Sequence, residues 1–302
     1  MDIPAIYVQV WYFSHIFAPI FEEIMENSIV RISCADEKGL VHKVTGVFYF
    51  NNLNVLSNQE FVDPETSRFF MRSEIAGEIV PDKIMNGLSG ILPTDAEISF
   101  DNKRKKKIVI LVTKEHHCLS ELLVRNHYGE LNAEILAVIG NHESLSDVCE
   151  RFDIPFYHIT TEGIGREAHE TLMIELISDF SPDYIVLAKY MRILTPNFVK
   201  HFTNRIVNIH HSFLPAFIGA NPYKQAYLRG VKIIGATAHF VNDNLDEGPI
   251  IKQDIMHVDH SHSWQEMAQA GRDVEKLVLA KALRLVFNDN VFVAGNKTVI
   301  LE

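Results

Sequence analysis

From Ile108 onward, short apolar runs alternate with helical stretches, and this rhythm limits the possible folds more than any other feature of the sequence. The runs I-V-I-L-V, A-E-I-L-A-V-I-G and D-Y-I-V-L-A are nearly continuous in apolar residues, as in strands that are covered on both faces. Helical patterns separate them near residues 118–127, 144–151 and 165–180. Strands joined through helices in this way predict a mostly parallel, Rossmann-like sheet with helices on its faces.

The pattern changes after Phe240, where a hairpin and then a long helix near residues 263–287 are predicted. Ser261 or Ser263 can cap this helix, because a serine hydroxyl accepts from the free N–H groups of a first turn. The predicted apolar stripe of the helix consists of Val274, Leu277, Val278 and Leu285.

The part of the chain before the parallel sheet has a different organisation. S-I-V-R-I-S-C, which begins at Ser28, alternates like a half-buried strand, and L-V-H-K-V-T-G-V-F-Y-F, which begins at Leu40, has helical spacing. Two further strands flank the turn D-P-E-T-S, a second helix begins near Pro81, and D-A-E-I-S-F is a last short strand. The order β-α-β-β-α-β predicts a ferredoxin-like domain.

Two domains are expected because 302 residues are more than one hydrophobic core usually serves. The first domain is assigned to residues 28–101 and the second to residues 108–302. Residues 102–107 include five consecutive basic residues, which in isolation favour nucleic-acid binding. The formal net charge of −11 argues against a nucleic-acid partner, so we expect a solvated basic linker.

Residues 1–27 are predicted to be an apolar extension. No charged residue occurs between Ile3 and Phe21, a length near the minimum for a membrane span. Pro4 and several polar residues interrupt the run, and the basic start of a signal peptide is absent. We therefore expect no membrane association, and an alternative is that translation begins at Met25.

The three cysteines, Cys34, Cys118 and Cys149, show no C-x-x-C spacing, which is typical of a reducing, cytoplasmic environment. None of the fifteen histidines forms H-E-x-x-H, and no metal site is predicted.

Polar residues occur where the predicted strands end. Asn208 and His210 lie two positions apart in R-I-V-N-I-H-H and would point to one side of a strand. His239 and Asp246 occur in A-T-A-H-F-V-N-D-N-L-D-E-G-P. An imidazole, an amide and a carboxylate are the groups needed to attack a carbonyl carbon. Since no G-x-S-x-G motif is present, direct attack by water or an amine is favoured over an acyl-enzyme.

Three segments, N-I-H-H-S-F-L-P, A-H-F-V-N-D-N-L-D-E-G-P-I-I and L-A-K-Y-M-R-I-L, resemble the formyltetrahydrofolate-dependent formyltransferase fold. Over roughly residues 28–302 the chain is most similar to the formyltetrahydrofolate deformylase family, and its first domain resembles an ACT domain. The resemblance implies that Asn208, His210 and Asp246 are catalytic and that His239 holds the aspartate. It also implies a folate-binding wall, which would consist of Ile139, Gly140, Asn141, Met191, Arg192, Ile193 and Leu194.

The implied reaction is hydrolysis of 10-formyltetrahydrofolate to tetrahydrofolate and formate, without a cofactor, which would supply formate for purine synthesis and balance folate pools. The ACT resemblance implies an amino-acid effector, such as glycine or methionine, near Asp36, Gly39 and Leu40, and pairing in a homo-oligomer. Two alternatives remain open: formyl transfer to an amine, and a catalytically silent ACT sensor. T-K-E-H-H-C-L lacks the glycines of a phosphate-binding loop, which disfavours a phosphorylated acceptor.

Overall fold

The computed structural model describes residues 27–215 and 222–302. The predicted apolar extension, residues 1–27, lies outside the described residues except for its last position. Within the described ranges no helix is both long and apolar enough to cross a membrane.

The first domain has the predicted ferredoxin-like plan. Its elements, in chain order, are β1 (Asn27–Ala35), α1 (Leu40–Phe50), β2 (Asn54–Asp63), β3 (Arg68–Ala76), α2 (Pro81–Ser89) and β4 (Glu97–Asp101). The four strands form an antiparallel sheet in the order β2-β3-β1-β4. Alternate residues of β1, such as Val30 and Ile32, pack against Val44 and Phe48 of α1, because successive strand residues point to opposite faces.

The second domain contains the predicted, mostly parallel sheet. Its elements are β5 (Lys106–Val112), α3 (His117–His127), β6 (Ala133–Gly140), α4 (Ser146–Glu150), β7 (Phe156–His158), α5 (Arg166–Phe180), β8 (Tyr184–Leu187), α6 (Pro196–His201), β9 (Ile206–His210), α7 (Pro222–Arg229), β10 (Ile233–Phe240), β11 (Ile250–His257), α8 (Trp264–Phe287), β12 (Val291–Ala294) and β13 (Lys297–Ile300). The sheet order is β11-β10-β9-β8-β5-β6-β7. The strands from β7 to β9 are parallel, and β10 and β11 add an antiparallel hairpin.

The apolar run of β5 is buried on both faces of this sheet. Ile108 and Ile110 belong to the core on the side of α3 and α8, whereas Val109 and Leu111 belong to the core on the side of α5 and α6. Because the central strands are parallel, their carboxyl ends meet at one edge, and the loops that follow them can share a site.

Helix α8 agrees with the prediction in its position and differs in one residue of its stripe. Ser263, and not Ser261, caps it: its hydroxyl accepts from the Glu266 N–H, and the Glu266 carboxylate accepts from the Ser263 N–H in return. Val274, Val278 and Leu285 are buried, but the prediction is wrong for Leu277, which is 40% exposed. It lies about 60° around the helix from Val274, on the side away from Val278.

The hairpin of β12 and β13, which the sequence does not predict, packs against the first domain. The rings of Phe70 and Phe292 meet edge to face at 5.6 Å, and Leu301 packs beside them. The guanidinium of Arg31 lies 4.3 Å from the centroid of the Phe292 ring. The sheet of the first domain therefore carries α1 and α2 on one face and part of the second domain on the other.

The predicted basic linker, residues 102–107, is solvated only in part. Lys106 is the first residue of β5 and is 5% exposed, with its ammonium 2.6 Å from Asp101 and 2.8 Å from Asp289. Burial opposes the charge of Lys106, but the hydrogen bonds to the two carboxylates outweigh burial and raise its pKa. We call Lys106, Asp101, Asp289 and Arg31, whose guanidinium lies 3.7 Å from Asp289, the interface cluster.

Candidate active site

Asn208 and His210 lie at the carboxyl end of β9, as the sequence predicts. β10 runs antiparallel beside β9, so that His239 stands opposite Asn208 and Thr237 stands opposite His210. Paired residues of neighbouring strands point to the same face, and these four side chains therefore share one side of the sheet edge.

His239 orients the amide of Asn208. The Nδ1 of His239 lies 2.9 Å from the carbonyl oxygen of Phe240, which can only accept, so Nδ1 carries the proton. Burial lowers the pKa of His239, the ring is neutral, and its Nε2 accepts from the Asn208 Nδ2 at 3.1 Å. An amide nitrogen has two hydrogens, so Asn208 keeps one to donate to a substrate oxygen.

Asp246 reaches His210 from the loop between β10 and β11. One of its carboxylate oxygens, Oδ1, lies 3.1 Å from Nδ1 of His210 and 3.9 Å from Nε2 of His239. The second distance is longer than a hydrogen bond, and His239 Nε2 already accepts from Asn208. Asp246 is therefore bonded to His210, and His239, which is predicted to hold the aspartate, lies at ion-pair distance from it without a hydrogen bond.

The loop that carries Asp246 is tightly folded. Asp246 has a φ of +58°, in the left-handed region that asparagine and aspartate tolerate better than most residues. A Cβ on Gly248 would lie 1.8 Å from the carbonyl oxygen of Phe240, so only glycine fits there. The close return of the chain at Gly248 brings the aspartate back over the end of β9.

The electrostatics of the pair leave one nitrogen available to a ligand. Burial raises the pKa of Asp246, but the hydrogen bond and charge of His210, with smaller effects of His239 and His211, bring it below its usual range. Nε2 of His210 is buried and has no hydrogen-bond partner among residues 27–215 and 222–302. A buried nitrogen that could exchange a proton is thus left without a partner among the described residues.

Thr237 fixes the loop after β9, and the sequence pattern did not identify it. Its hydroxyl donates to the Ser212 carbonyl at 2.9 Å and accepts from the Leu214 N–H at 3.0 Å and from Gln253 at 2.9 Å. The only sequence signal is one hydroxyl residue in the apolar run I-I-G-A-T-A-H.

A second group of polar residues, also missed from the sequence, is buried near His210. Glu275 of α8 is 0% exposed, and its carboxylate accepts from His117 Nε2 at 2.8 Å and from the Tyr223 hydroxyl at 2.6 Å. The ammonium of Lys189 lies 3.1 Å from the same carboxylate. Burial raises the pKa of Glu275, but His117, Lys189 and Tyr223 outweigh it and bring it to about 2. We call these four residues the rim cluster.

His211 lies between the rim cluster and the catalytic candidates. Its ring stacks on that of His210, with centroids 5.0 Å apart and planes 16° apart, and lies 6.4 Å from the ring of Tyr223. Burial, the charge of Lys189 and His210 together lower the pKa of His211 to about 4. His211 is therefore a neutral ring at pH 7.

A metal ion is a possibility to test at His117, Cys118 and Glu275, because these are ligand-type residues whose ligand atoms lie within 4.8 Å of one another. Two observations oppose this. The ammonium of Lys189 already neutralises the Glu275 carboxylate, and burial raises the pKa of the Cys118 thiol well above its usual value, which keeps it protonated. The chemistry of this donor set fits an internal ion pair better than a metal site.

The predicted folate wall comes from two loops at the same sheet edge. Met191, Arg192, Ile193 and Leu194 follow β8, the neighbour of β9, and the side chains of Met191 and Ile193 are 55% and 52% exposed. β6, two strands beyond β8, ends with Ile139 and Gly140, and Asn141 follows it. Ile139 is buried in the core. Asn141 is also buried, and its Oδ1 has no hydrogen-bond partner among the described residues.

A cavity of about 300 Å³ lies beyond Leu194, between α6 and the loop that leads to Asp246. It is lined by Pro196, Asn197, Val199, Lys200, Thr203, Asn204, Val241, Asn242 and Asp243. Its lining combines apolar side chains with amides, a hydroxyl group, an ammonium group and a carboxylate.

The predicted effector residues lie between β1 and α1. Gly39 has a φ of +90°, which a residue with a side chain rarely adopts, and it precedes the first turn of α1. Asp36 is exposed, and its N–H donates to the Ser67 carbonyl. The side chain of Leu40 is buried in the core, so only its backbone N–H could meet an effector.

Comparison with known proteins follows the two domains. Residues 28–89 match the ACT domain family, and residues 106–283 match the formyl transferase family. The chain is 54% identical over 277 residues to formyltetrahydrofolate deformylase of Escherichia coli (strain K12), a match that covers 92% of this chain and 99% of that protein.

Two solved structures are similar to this chain, one over nearly its whole length and one over about two thirds of it. The formyltetrahydrofolate deformylase of Pseudomonas syringae pv. tomato superimposes with a TM-score of 0.88 and 38% identity, over 93% of this chain and 96% of that chain. Glycinamide ribonucleotide transformylase 1 of Symbiobacterium toebii superimposes with a TM-score of 0.64 and 28% identity, over 67% of this chain and 97% of that chain.

Proposed function

Because the chain belongs to the formyltetrahydrofolate deformylase family, a family of hydrolases, we propose a mechanism in which Asn208, His210 and Asp246 activate water against the formyl group. Family membership confirms the resemblance seen in the sequence and the two-domain fold. The catalytic roles, the folate contacts and the control by the ACT domain are proposals that rest on the geometry of the site.

In the proposed reaction, a water oxygen attacks the formyl carbon of 10-formyltetrahydrofolate. The second oxygen of Asp246, Oδ2, orients this water and accepts its proton. The Asn208 amide donates to the oxyanion of the tetrahedral intermediate. For this step His210 carries a proton on each ring nitrogen, one of them shared with Asp246. The bond from carbon to N10 then breaks, N10 takes the proton from Nε2 of His210, and formic acid and tetrahydrofolate leave. Formic acid ionises to formate, Asp246 gives up the proton that it took from water, and solvent returns a proton to Nε2. The roles require no metal, because side chains activate the water.

One observation carries this proposal: His210 has one ring nitrogen bound to Asp246, and the other is buried and has no partner among the residues that the structure describes. A buried polar atom that lacks a hydrogen bond costs about 1–3 kcal/mol, and a substrate atom can recover that cost. His239 supports the arrangement because it aims the Asn208 amide at the same place.

Formate release in the absence of any acceptor tests the function. The wild-type protein is expected to release one formate per 10-formyltetrahydrofolate, whereas a formyltransferase to an amine would release little and a silent ACT sensor none. His210→Ala and Asp246→Asn are each expected to lower kcat by about 10²-fold or more, since each removes a group that moves or orients a proton.

A folded variant that keeps most of its activity would contradict the assignment of that residue. His127→Ala serves as the control, because His127 is the last residue of α3, on the side of the sheet away from the carboxyl ends of the strands, and its ring lies against those of Tyr128 and Phe152. Its kcat is expected to stay within twofold of wild type.

The folate would lie along the loop of Met191, Arg192, Ile193 and Leu194, with its ring in the cavity between α6 and the Asp246 loop. Val199 and Val241 supply apolar walls there, and the exposed side chains of Met191 and Ile193 would cover the ring. Ile139, Gly140 and Asn141 would contact the more distant part of the folate, and the unpaired Oδ1 of Asn141 would accept from it.

The reaction would take place in the cytoplasm, where its formate would serve purine synthesis and its tetrahydrofolate would return to the one-carbon pool. The three cysteines are buried and unpaired, as expected in a reducing compartment.

The ACT domain would bind a small amino acid at Asp36, Gly39 and the Leu40 backbone, with glycine and methionine as the first candidates. A ligand carboxylate would meet the free N–H groups at the start of α1. ACT pairing would place this site in a homo-oligomer. Calorimetric titration of the full chain with a panel of amino acids tests the proposal, and the absence of heat with every amino acid would leave the domain a structural role only.

A further inference from the structure

Glu275 joins three segments that each follow a strand of the sheet. His117 begins α3 after β5, Lys189 follows β8, and Tyr223 lies in the first turn of α7 after β9. These strands are neighbours in the order β9-β8-β5, and their carboxyl ends form the rim of the candidate active site. One carboxylate from α8 therefore holds the three loops of the rim together.

Stability alone does not account for such a residue. Taking a carboxylate and an ammonium out of water costs several kcal/mol for each ion, and apolar residues of similar volume often replace a buried ion pair without loss of stability. Glu275 is fully buried and its pKa is brought to about 2, so the charge is kept inside the protein. The directional bonds of the carboxylate are what an apolar residue could not supply.

A chain of contacts leads from Glu275 to His210. The hydroxyl of Tyr223 is fixed on Glu275, and its ring lies in a notch of α8 where a Cβ on Gly271 would come within 2.1 Å of it. The next ring is His211, at 6.4 Å from Tyr223, and His211 in turn stacks on His210. His210 is thus held from one side by Asp246 and from the other by this row of rings.

The geometry points to Glu275 as a positioning residue for the hydrolysis: through Tyr223 and His211 it fixes the plane in which Nε2 of His210 meets the substrate. This inference rests on the proposed catalytic role of His210. Glu275 does not touch the reacting atoms in this scheme. A small rotation of the His210 ring would move Nε2 away from N10, and misplacement of about 1 Å can cost on the order of 10²-fold in rate.

Tyr223→Phe tests the chain of contacts at its first link, the hydrogen bond from Tyr223 to Glu275. The variant keeps the ring between Gly271 and His211 and loses only the bond to Glu275. We expect kcat for formate release to fall about 10-fold with KM unchanged, at an assay temperature where the variant is still folded. The melting temperature is expected to fall, because a buried carboxylate loses one of its donors. Tyr184→Phe is the matched control, because Tyr184 begins β8 and so lies at the end of the strand opposite to the carboxyl end that borders the site. Its kcat is expected to equal that of wild type. A kcat of Tyr223→Phe within twofold of wild type would overturn the inference.

The double variant Glu275→Leu with Lys189→Met separates positioning from charge balance. Both buried charges are removed together, so no unpaired charge remains, but the Tyr223 hydroxyl and the His117 ring lose their acceptor. The free energy of unfolding in urea is therefore expected to fall by about 1–3 kcal/mol for each of these two groups, with the protein still folded in native buffer. Because neither Tyr223 nor His117 then has an acceptor, kcat is expected to fall about 10²-fold. A folded double variant with wild-type kcat would show that the cluster only balances charge. If the double variant does not fold, the result for Tyr223→Phe decides.

Failure of this inference differs from failure of the proposed function. If His210→Ala still releases formate, the catalytic assignment is wrong, whatever the rate of Tyr223→Phe. If His210→Ala is inactive while Tyr223→Phe keeps its full kcat and KM, only the role of Glu275 is rejected.

Discussion

The protein buries charge in two places along one helix, and the two clusters are organised in opposite ways. In the rim cluster a carboxylate, Glu275, lies among donors from three loops of the same sheet. In the interface cluster an ammonium, Lys106, lies between carboxylates from two domains, Asp101 and Asp289, the second just beyond the end of α8. The rim cluster orients side chains at the candidate active site, and the interface cluster links the two domains.

Because of this difference, we expect the two clusters to affect different quantities, kcat in one case and the free energy of unfolding in the other. Asp289 also attracts Arg31 of β1, and the carbonyl of Asn288 accepts from Arg72 of β3, so the end of α8 is tied to the first domain. None of these groups lies near His210. We therefore expect changes in the interface cluster to weaken the fold at constant kcat, and changes in the rim cluster to lower kcat.

The largest effect on stability is expected for Lys106→Met. Removing the ammonium leaves Asp101 and Asp289 facing each other with little solvent, and breaking one partner of a buried pair typically costs about 3–5 kcal/mol. Urea unfolding measures the loss, and formate release measured well below the transition should give a kcat within twofold of wild type. Lys105→Met, at the exposed neighbouring position, is the control. A fall in kcat beyond twofold in native buffer, together with the loss in the free energy of unfolding, would show that the two clusters are not independent.

A smaller effect is expected from the pH dependence of His211, which faces Lys189, His210, Glu275 and Asp246. Its pKa of about 4 in the folded state is below the ordinary value of 6.5, so the folded protein resists its protonation. The resulting stability is present above pH 6.5 and is lost as the pH falls toward 4. At about 1.4 kcal/mol per pKa unit, the loss is a few kcal/mol.

Comparison of wild type with His211→Phe isolates this contribution, because phenylalanine keeps a ring on His210 but does not titrate. Urea unfolding at pH 7.5 and pH 4.5 should show a smaller decrease in the free energy of unfolding for the variant. Parallel decreases in the two proteins would mean that other groups carry the acid sensitivity.

The smallest effect is expected for Lys297→Ala. Lys297 of β13 pairs with Glu65 of the first domain, but the two side chains are 69% and 72% exposed. Solvent and salt screen such a pair, so the urea midpoint should not change measurably. A clear decrease would indicate that exposed charges also hold the two domains together.

The parts of the structure that follow from local pattern were accessible from sequence. The strand runs, the ferredoxin-like order and a serine cap at Ser261 or Ser263 depend on neighbours within one turn or one hairpin. Asn208 and His210 could be proposed as site residues because polar side chains at the end of an apolar strand are conspicuous. Pattern alone did not show that Asp246 would pair with His210 and leave His239 to Asn208.

The rim cluster could not be found this way. Glu275 occurs between Val274 and Val278 in a helix where a glutamate is unremarkable, and its partner His117 is 158 positions earlier in the chain. Lys106 is the fourth of five consecutive basic residues that resemble a solvated linker, and its buried partner Asp289 lies 183 positions away in the chain. Long-range pairing of this kind leaves no periodic signal in the chain.

The coverage of the first domain on both faces has a further consequence for any effector. Along β1, Ile32 faces the layer of α1 and α2, and the adjacent Arg31 reaches the second domain through Asp289 and Phe292. The backbone of β1 alone separates the helix layer from the second domain at this point. A displacement of α1 on one face of the sheet would therefore meet the second domain on the other face, without a hinge or linker in between.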